Sequence, residues 1–232
     1  QGKGMHDENG NPLMIAGSLV DITEQKANEE KLKNILYYDI LTGLKNRNCF
    51  EKDMKKYLTD PSATGSILCI DIHNFKIFNE IFGRDFANKI LIEFTRIIHL
   101  YISDNLGVYR LEGDEFLVHL RENTQEQILE KLIPFQMYLS RERTLEGHVI
   151  FIRANIGVAM YPQNGATSEE LIQNANMALL MRSKTNRHQT VFFRSENLDS
   201  LNKKYVLERV LRQNVTDGMK NFHLMFQPIM EI

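Results

Sequence analysis

Two adjacent carboxylates at a glycine corner, Asp114 and Glu115 after Gly113, are the residues of this chain best suited to chemistry. A third acid, Asp71, closes the apolar run SILCIDI over 66–72. Acids held at rigid strand ends offer hard oxygen ligands to magnesium, which binds mainly through one or two carboxylates plus phosphate. At a glycine corner the same pair is also ordinary turn chemistry, so the weight falls on the elements that bring the acids together.

Those elements can be read from pattern. Residues 107–120, GVYRLEGDEFLVHL, set strand-type runs on either side of Glu112, Gly113 and Asp114, which predicts a β-hairpin turning at that corner. Phe116, Val118 and Leu120 alternate with Glu115, Leu117 and His119, so one face is expected on a core while the tip stays in water. The continuous apolar run at 66–72 predicts a central strand buried on both faces that delivers Asp71 to the sheet edge.

Around this centre the chain divides further. A turn at 7–12 and the run LMIAGSLV predict a short hairpin, with a disordered tail as the alternative. From Asp21 a helix is expected, with Asp21 and Glu24 at capping-box spacing and a stripe of Leu32, Ile35 and Leu36. That stripe can pair with a second copy in a dimer or pack on its own domain. A helix over 48–58 stops at Asp60-Pro61. Residues 74–83 form a segment of their own before a long amphipathic helix over 84–101. A further helix spans 124–143, bent or interrupted at Pro134. A strand is expected over 149–160, and Thr167 with Glu170 caps the next helix. Residues 190–193 close the sheet, and 201–215 read as a helix. This order favours an α+β sandwich with helices on a mainly antiparallel sheet.

Composition bounds the function. The chain has 232 residues, 43% hydrophobic and 25% charged, with net charge -2. That is enough for one good core, and the charge argues against nucleic acid as a partner. No run of roughly eighteen apolar residues predicts a membrane insertion. Cys49 and Cys69 lack metal-ligand spacing, and a reducing cytoplasm fits them. His6, His99, His119, His148, His188 and His223 are scattered without ligand spacing. Met177, Met181, Met219 and Met225 read as core filler, and Lys52, Lys55 and Lys56 as a solvated helix face. Both ends look cut from something longer.

DILTGLKNRNCF from Asp39, IDIHNFKIFNEIFG from Ile70 and RLEGDEF from Arg110, in that order, resemble the GGDEF domain of bacterial diguanylate cyclases, over about 39–193. The resemblance implies the nucleotidyl-cyclase-like form of the sandwich. It also implies a reaction in which two GTP molecules condense to cyclic di-GMP with Mg2+ or Mn2+. By that likeness Asp71 and Asp114 are the metal pair with the Ile72 carbonyl as third ligand. Glu115 is the neighbouring catalytic acid, and Gly113 lets backbone amides approach phosphate. Phe75 and Lys76 keep the family's FK pair, Asn79 and Asn88 fall at guanine-reading positions, and Arg187 at a phosphate contact.

Departures from the pattern cut the other way. Glu112 replaces the first glycine; a unit charge ~5 Å from phosphate costs roughly 3 kcal/mol at an effective dielectric of ~20, and nothing if it points outward. His73 stands where an acid is usual. Asn88 replaces an aspartate, and an unpaired amide donor costs about 1–3 kcal/mol. Ser183 replaces a lysine that Lys184, about 100° round the helix, does not substitute, and Asn176 and Leu180 also deviate. The product-binding RxxD window reads Ser103, Asp104, Asn105 and Leu106, which predicts no inhibitory site of that type.

Residues 1–20 resemble the end of a PAS sensor domain, 21–38 a signalling helix, 39–195 the GGDEF domain, and 196–232, with its FQPI run, the start of an EAL phosphodiesterase domain. The expected role is a weak or non-catalytic GTP-binding module that regulates the EAL domain. An active cyclase, working as a homodimer, and a structural dimerisation spacer are the alternatives.

Overall fold

The structure, a computed structural model, describes residues 2–17, 21–102, 105–181 and 190–216. Strands β1 (Gly2–His6) and β2 (Pro12–Gly17) pair as the predicted antiparallel hairpin, whose turn is tied by the Asp7 carboxylate accepting the Asn9 and Asn11 amides. Helix α1 (Thr23–Tyr37) follows. The expected capping box is not formed: Asp21 accepts the Thr23 N–H two residues on, and Ile22 takes the N-cap position with no side-chain bond. The α1 stripe does not pack on its own domain, with Leu32 66% and Ile35 60% exposed.

Helix α2 (Arg47–Tyr57) is started by the Asn46 side chain, which accepts the Cys49 N–H, and buries Phe50 and Met54. Strand β3 (Gly65–Ile72) leads into α3 (Phe75–Tyr101), which breaks at Gly83 and so keeps 75–82 separate from the long amphipathic segment, as the pattern predicted. Strands β4 (Gly107–Glu112) and β5 (Glu115–Leu120) form the central hairpin.

Helix α4 (Gln125–Leu139) runs uninterrupted through Pro134, which lies on its exposed side. It also ends earlier than expected. Arg143, read from sequence as helical, instead donates to the carbonyls of Leu139 and Tyr138, at the last turn, whose carbonyls have no N–H four residues on within the helix. Arg143 belongs to β6 (Glu142–Leu145), paired with β7 (His148–Phe151) in a separate hairpin. The single strand expected at 149–160 is therefore two, β7 and β8 (Ala154–Tyr161).

Helix α5 (Ser168–Leu180) carries the predicted Thr167–Glu170 capping box. Strand β9 (Thr190–Phe192) and helix α6 (Glu196–Thr216) complete the described elements.

The main sheet has the order β4-β5-β3-β8-β9, antiparallel except for the parallel β8/β9 pair. Alternate residues of β3 and β5 feed two buried apolar cores. Leu68, Ile70, Phe116 and Val118 pack with Phe94 and Ile90 of α3 and with Leu132 and Phe135 of α4. Ile67, Cys69 and Leu117 pack with Phe50 and Met54 of α2 and Leu171 and Ala175 of α5. The expectation of one buried face on β5 is thus exceeded, since Leu117 and His119 on the opposite face are also buried. Each such fully buried large side chain contributes about 1.5–3 kcal/mol. Helix α5 closes on the sheet over Gly157, where a Cβ would collide with the Ala175 carbonyl and the Leu179 side chain.

Candidate active site

The hairpin corner is shaped by one backbone irregularity and one guanidinium. Pairing of β4 with β5 shifts register between Arg110 and Glu112, and Gly113 takes a φ of 55°, a conformation that side chains disfavour. Arg110 reaches back over the turn: its Nε and Nη2 donate to the Gly113 carbonyl at 2.9 and 2.7 Å. Its Nη1 donates to Asp39 Oδ1 at 2.9 Å. The same Asp39 oxygen accepts the Thr42 N–H at 2.8 Å and its hydroxyl at 2.5 Å. Burial alone would raise the Asp39 carboxyl, but the Thr42 and Arg110 bonds outweigh it and hold it below the usual range. The adjoining Lys45 carbonyl accepts the Arg110 N–H, and Lys45 Nζ bonds Asp53, which also accepts the Tyr109 hydroxyl. The stretch after α1 is thereby stitched to the edge of β4.

The three acids converge as the sequence predicts. Asp71 lies opposite Glu115 of β5 and opposite Asn155 of β8, so the three form a row across three strands on one face of the sheet. Asp114 stands beside that row. Its carboxyl is pushed up, first by burial and then by the charges of Asp71 and Glu115, against the opposing pull of its own N–H and that of Ile72. Asn155, only 3% exposed, donates its Nδ2 amide to Asp71 Oδ1.

This donor set fits a hard divalent cation. Crowded carboxylates that disfavour each other's ionisation are relieved by positive charge. No group of three or more His, Cys, Asp or Glu side chains forms a metal cluster among the described residues. Asp71 and Asp114 are the two carboxylates that would hold such an ion, with carbonyl, water and phosphate oxygens completing its shell.

The remaining predicted residues are unequally placed. Asn74, with a φ of 59°, begins α3 directly after β3, which brings Phe75, Lys76 and Asn79 to the carboxylate end of the sheet. Phe75 packs on the larger core. Asn79 is exposed, and Asn88, beyond the Gly83 break, is half-buried. Lys76 is 87% exposed and lies 3.6 Å from Glu80. Glu112 is exposed. Asn176 is half-buried and Leu180 exposed on α5. Arg187, Ser183, Lys184, Ser103 and Asp104 lie outside the described residues, as does the FQPI run.

A cleft of about 340 Å³ adjoins this end of the sheet, lined by His73, Asn74, Ile77, Phe78, Phe151 and Arg153. A larger one, about 540 Å³, opens at the far end of the hairpin against Asp53, Tyr57, Leu106, Tyr109 and His119, and none of the three acids lines it. There His119 is fully buried, bonds Tyr161 through Nε2 and is pushed down to about 4 by burial.

Sequence reasoning missed Asn155 and the Arg110–Asp39 pair. Asp39 and Arg110 lie inside the recognised motifs but 71 residues apart. For Asn155, one polar residue in an otherwise apolar strand is a signal that was available.

The family model described as diguanylate cyclase, GGDEF domain, matches residues 36–189. Cyclic di-GMP phosphodiesterase NbdA of Pseudomonas aeruginosa is 30% identical over 87% of this chain and 26% of its own length. The bifunctional diguanylate cyclase/cyclic di-GMP phosphodiesterase MucR of the same organism is 29% identical over 81% of this chain and 28% of its own. The chain spans between a quarter and a third of the length of such relatives. Among solved structures, the GGDEF domain of TpbB (YfiN) from Pseudomonas aeruginosa superposes with a TM-score of 0.66 at 25% identity, covering 72% of this chain and 99% of that one. A sensory box/GGDEF family protein from Caulobacter crescentus gives 0.57 at 28% identity, covering 65% and 99%.

Proposed function

Because this chain belongs to the diguanylate cyclase, GGDEF domain family, we propose that it works in cyclic di-GMP signalling as a GTP-binding module with altered substrate contacts that regulates an adjoining EAL phosphodiesterase. The observation that carries this reading is the meeting of Asp71 and Asp114 at one corner, where burial and like charge raise the Asp114 carboxyl. Such a pair is suited to hold Mg2+ or Mn2+ with the Ile72 carbonyl, and a metal there would neutralise the phosphates of GTP. Gly113 leaves the corner backbone open to phosphate, with Glu115 as the adjacent acid, and Phe75, Lys76, Asn79, Asn88 and Arg187 are assigned to the nucleotide.

The regulatory part of the reading draws on the relatives. Two of them bear the name cyclic di-GMP phosphodiesterase, and this region is a minor part of their length. In the proposed architecture 1–20 ends a PAS domain, 21–38 transmits its signal, and 196–232 enters the EAL domain. The exposed α1 stripe is suited to a homodimer, and no described helix is long and apolar enough to cross a membrane.

The exposure of Glu112 favours a second reading, an active cyclase, because an outward carboxylate does not oppose the phosphates. Calorimetric titration of GTP with magnesium, followed by chromatography after long incubation, separates the readings. Binding without cyclic di-GMP is expected, with loss of binding in Asp114→Ala. Product would establish the cyclase, and neither binding nor product would leave a dimerisation spacer.

A further inference from the structure

Asn155 occupies a position where an amide needs a reason. It is buried in a strand of small and apolar residues, and burying an amide costs free energy unless it is hydrogen-bonded. The bond it makes is to Asp71 Oδ1. As Cα partners across β3 and β8, the two residues hold this contact through the sheet itself rather than through a loop. On its other side Asp71 faces Glu115, so one acid is flanked by an amide donor and by a carboxylate.

We infer that Asn155 is a positioning residue that occupies one oxygen of Asp71 and so limits this carboxylate to one-oxygen coordination of a divalent metal, selecting small octahedral cations over calcium. The inference rests on the metal-binding reading of Asp71 and Asp114. Its physical basis is the difference between the ions. Mg2+ demands near-ideal octahedral geometry at about 2.1 Å, whereas Ca2+ takes six to eight oxygens at about 2.3–2.6 Å and readily accepts both oxygens of one carboxylate. An amide fixed on Oδ1 leaves Oδ2 to ligate and holds the carboxylate in one rotamer. Without that donor, Asp71 is free to swing and to chelate with both oxygens.

The test is Mn2+ titration of the native chain, read by the electron paramagnetic resonance of free Mn2+, with Mg2+ and Ca2+ as competitors. The native chain is expected to bind Mn2+ and to release it to Mg2+ at lower concentration than to Ca2+. Asn155→Ala should weaken Mn2+ about tenfold, the usual scale for partners of a metal ligand, and should shrink the preference for Mg2+ over Ca2+. Asn155→Val, which fills the space without a donor, should behave alike and serves if the alanine variant fails to unfold cooperatively by circular dichroism. Native Mn2+ binding that is absent, or that survives Asp71→Asn, would overturn the metal reading and this inference with it. Binding that Asp71→Asn abolishes, but that a folded Asn155→Ala or Asn155→Val variant keeps with unchanged affinity and selectivity, would overturn the inference alone.

Discussion

Replacing Arg110 by lysine should loosen the signature corner without removing a charge. The guanidinium donates twice to the Gly113 carbonyl and once to Asp39, and a single ammonium does not span both acceptors in that fork geometry. Hydrogen bonds to charged groups are worth about 1.5–3 kcal/mol and neutral ones about 0.5–1.5 kcal/mol. With side chains only 10% and 24% exposed for Arg110 and Asp39, solvent screening is modest. Allowing for the bonds lysine keeps, Arg110→Lys should cost about 2–3 kcal/mol, and its coupling to Asp39→Asn should be about 1–2 kcal/mol. Urea denaturation of the two single variants and the double variant at neutral pH measures both values. Asp39 also fixes the pH dependence. Its folded carboxyl lies below the ordinary value, so the stability it contributes is present above about pH 3.9 and is lost as pH falls through the folded value. Additivity of the two substitutions within about 0.3 kcal/mol would refute the clamp.

Two further outcomes are expected. His119 is held neutral by burial at a value of about 4, below its unfolded value of about 6.5, so the unfolded chain binds the extra proton between these limits. Stability should therefore fall on acidification from about pH 6.5 to 4 by up to about 3 kcal/mol, and denaturation curves of His119→Phe should lack that part of the slope; equal slopes would count against it. Glu112 is exposed, where a charge ~5 Å from phosphate is worth less than ~1 kcal/mol in water. Glu112→Gly should change calorimetric GTP affinity less than about fivefold, and a larger gain would mean that the carboxylate turns inward.

Where the local pattern decides the structure, sequence and structure agree. The apolar run of β3, the corner of β4 and β5 and the Thr167–Glu170 box are each specified within a dozen residues, and each is found as expected. The Asp21–Glu24 box has the same spacing, yet its first side chain bonds Thr23 instead, because a short turn competes for the same carboxylate. Strand β6 has no strong alternation of its own and exists by pairing with β7, so its first two residues, Glu142 and Arg143, read as the tail of a helix. The site divides the same way. Asp71, Asp114 and Glu115 are conspicuous in their own segments, whereas the Asn155–Asp71 bond joins residues 84 positions apart and depends on which strands neighbour each other.

The alternation in the sheet also constrains how this chain can vary over time. Within β3, β5 and β8 successive residues alternate between two apolar interiors, and the row Glu115, Asp71, Asn155 shares its face with the smaller of them. Gaining or losing one residue inside any of these strands would exchange the faces, turning Glu115, Asp71 or Asn155 toward the larger interior and an apolar side chain toward the corner. Change inside these strands must therefore proceed by substitution at fixed length. Insertions and deletions are confined to connections such as 59–64, 121–124 and 162–167, which makes the spacing within each strand a more durable signature of descent than the residues that fill it.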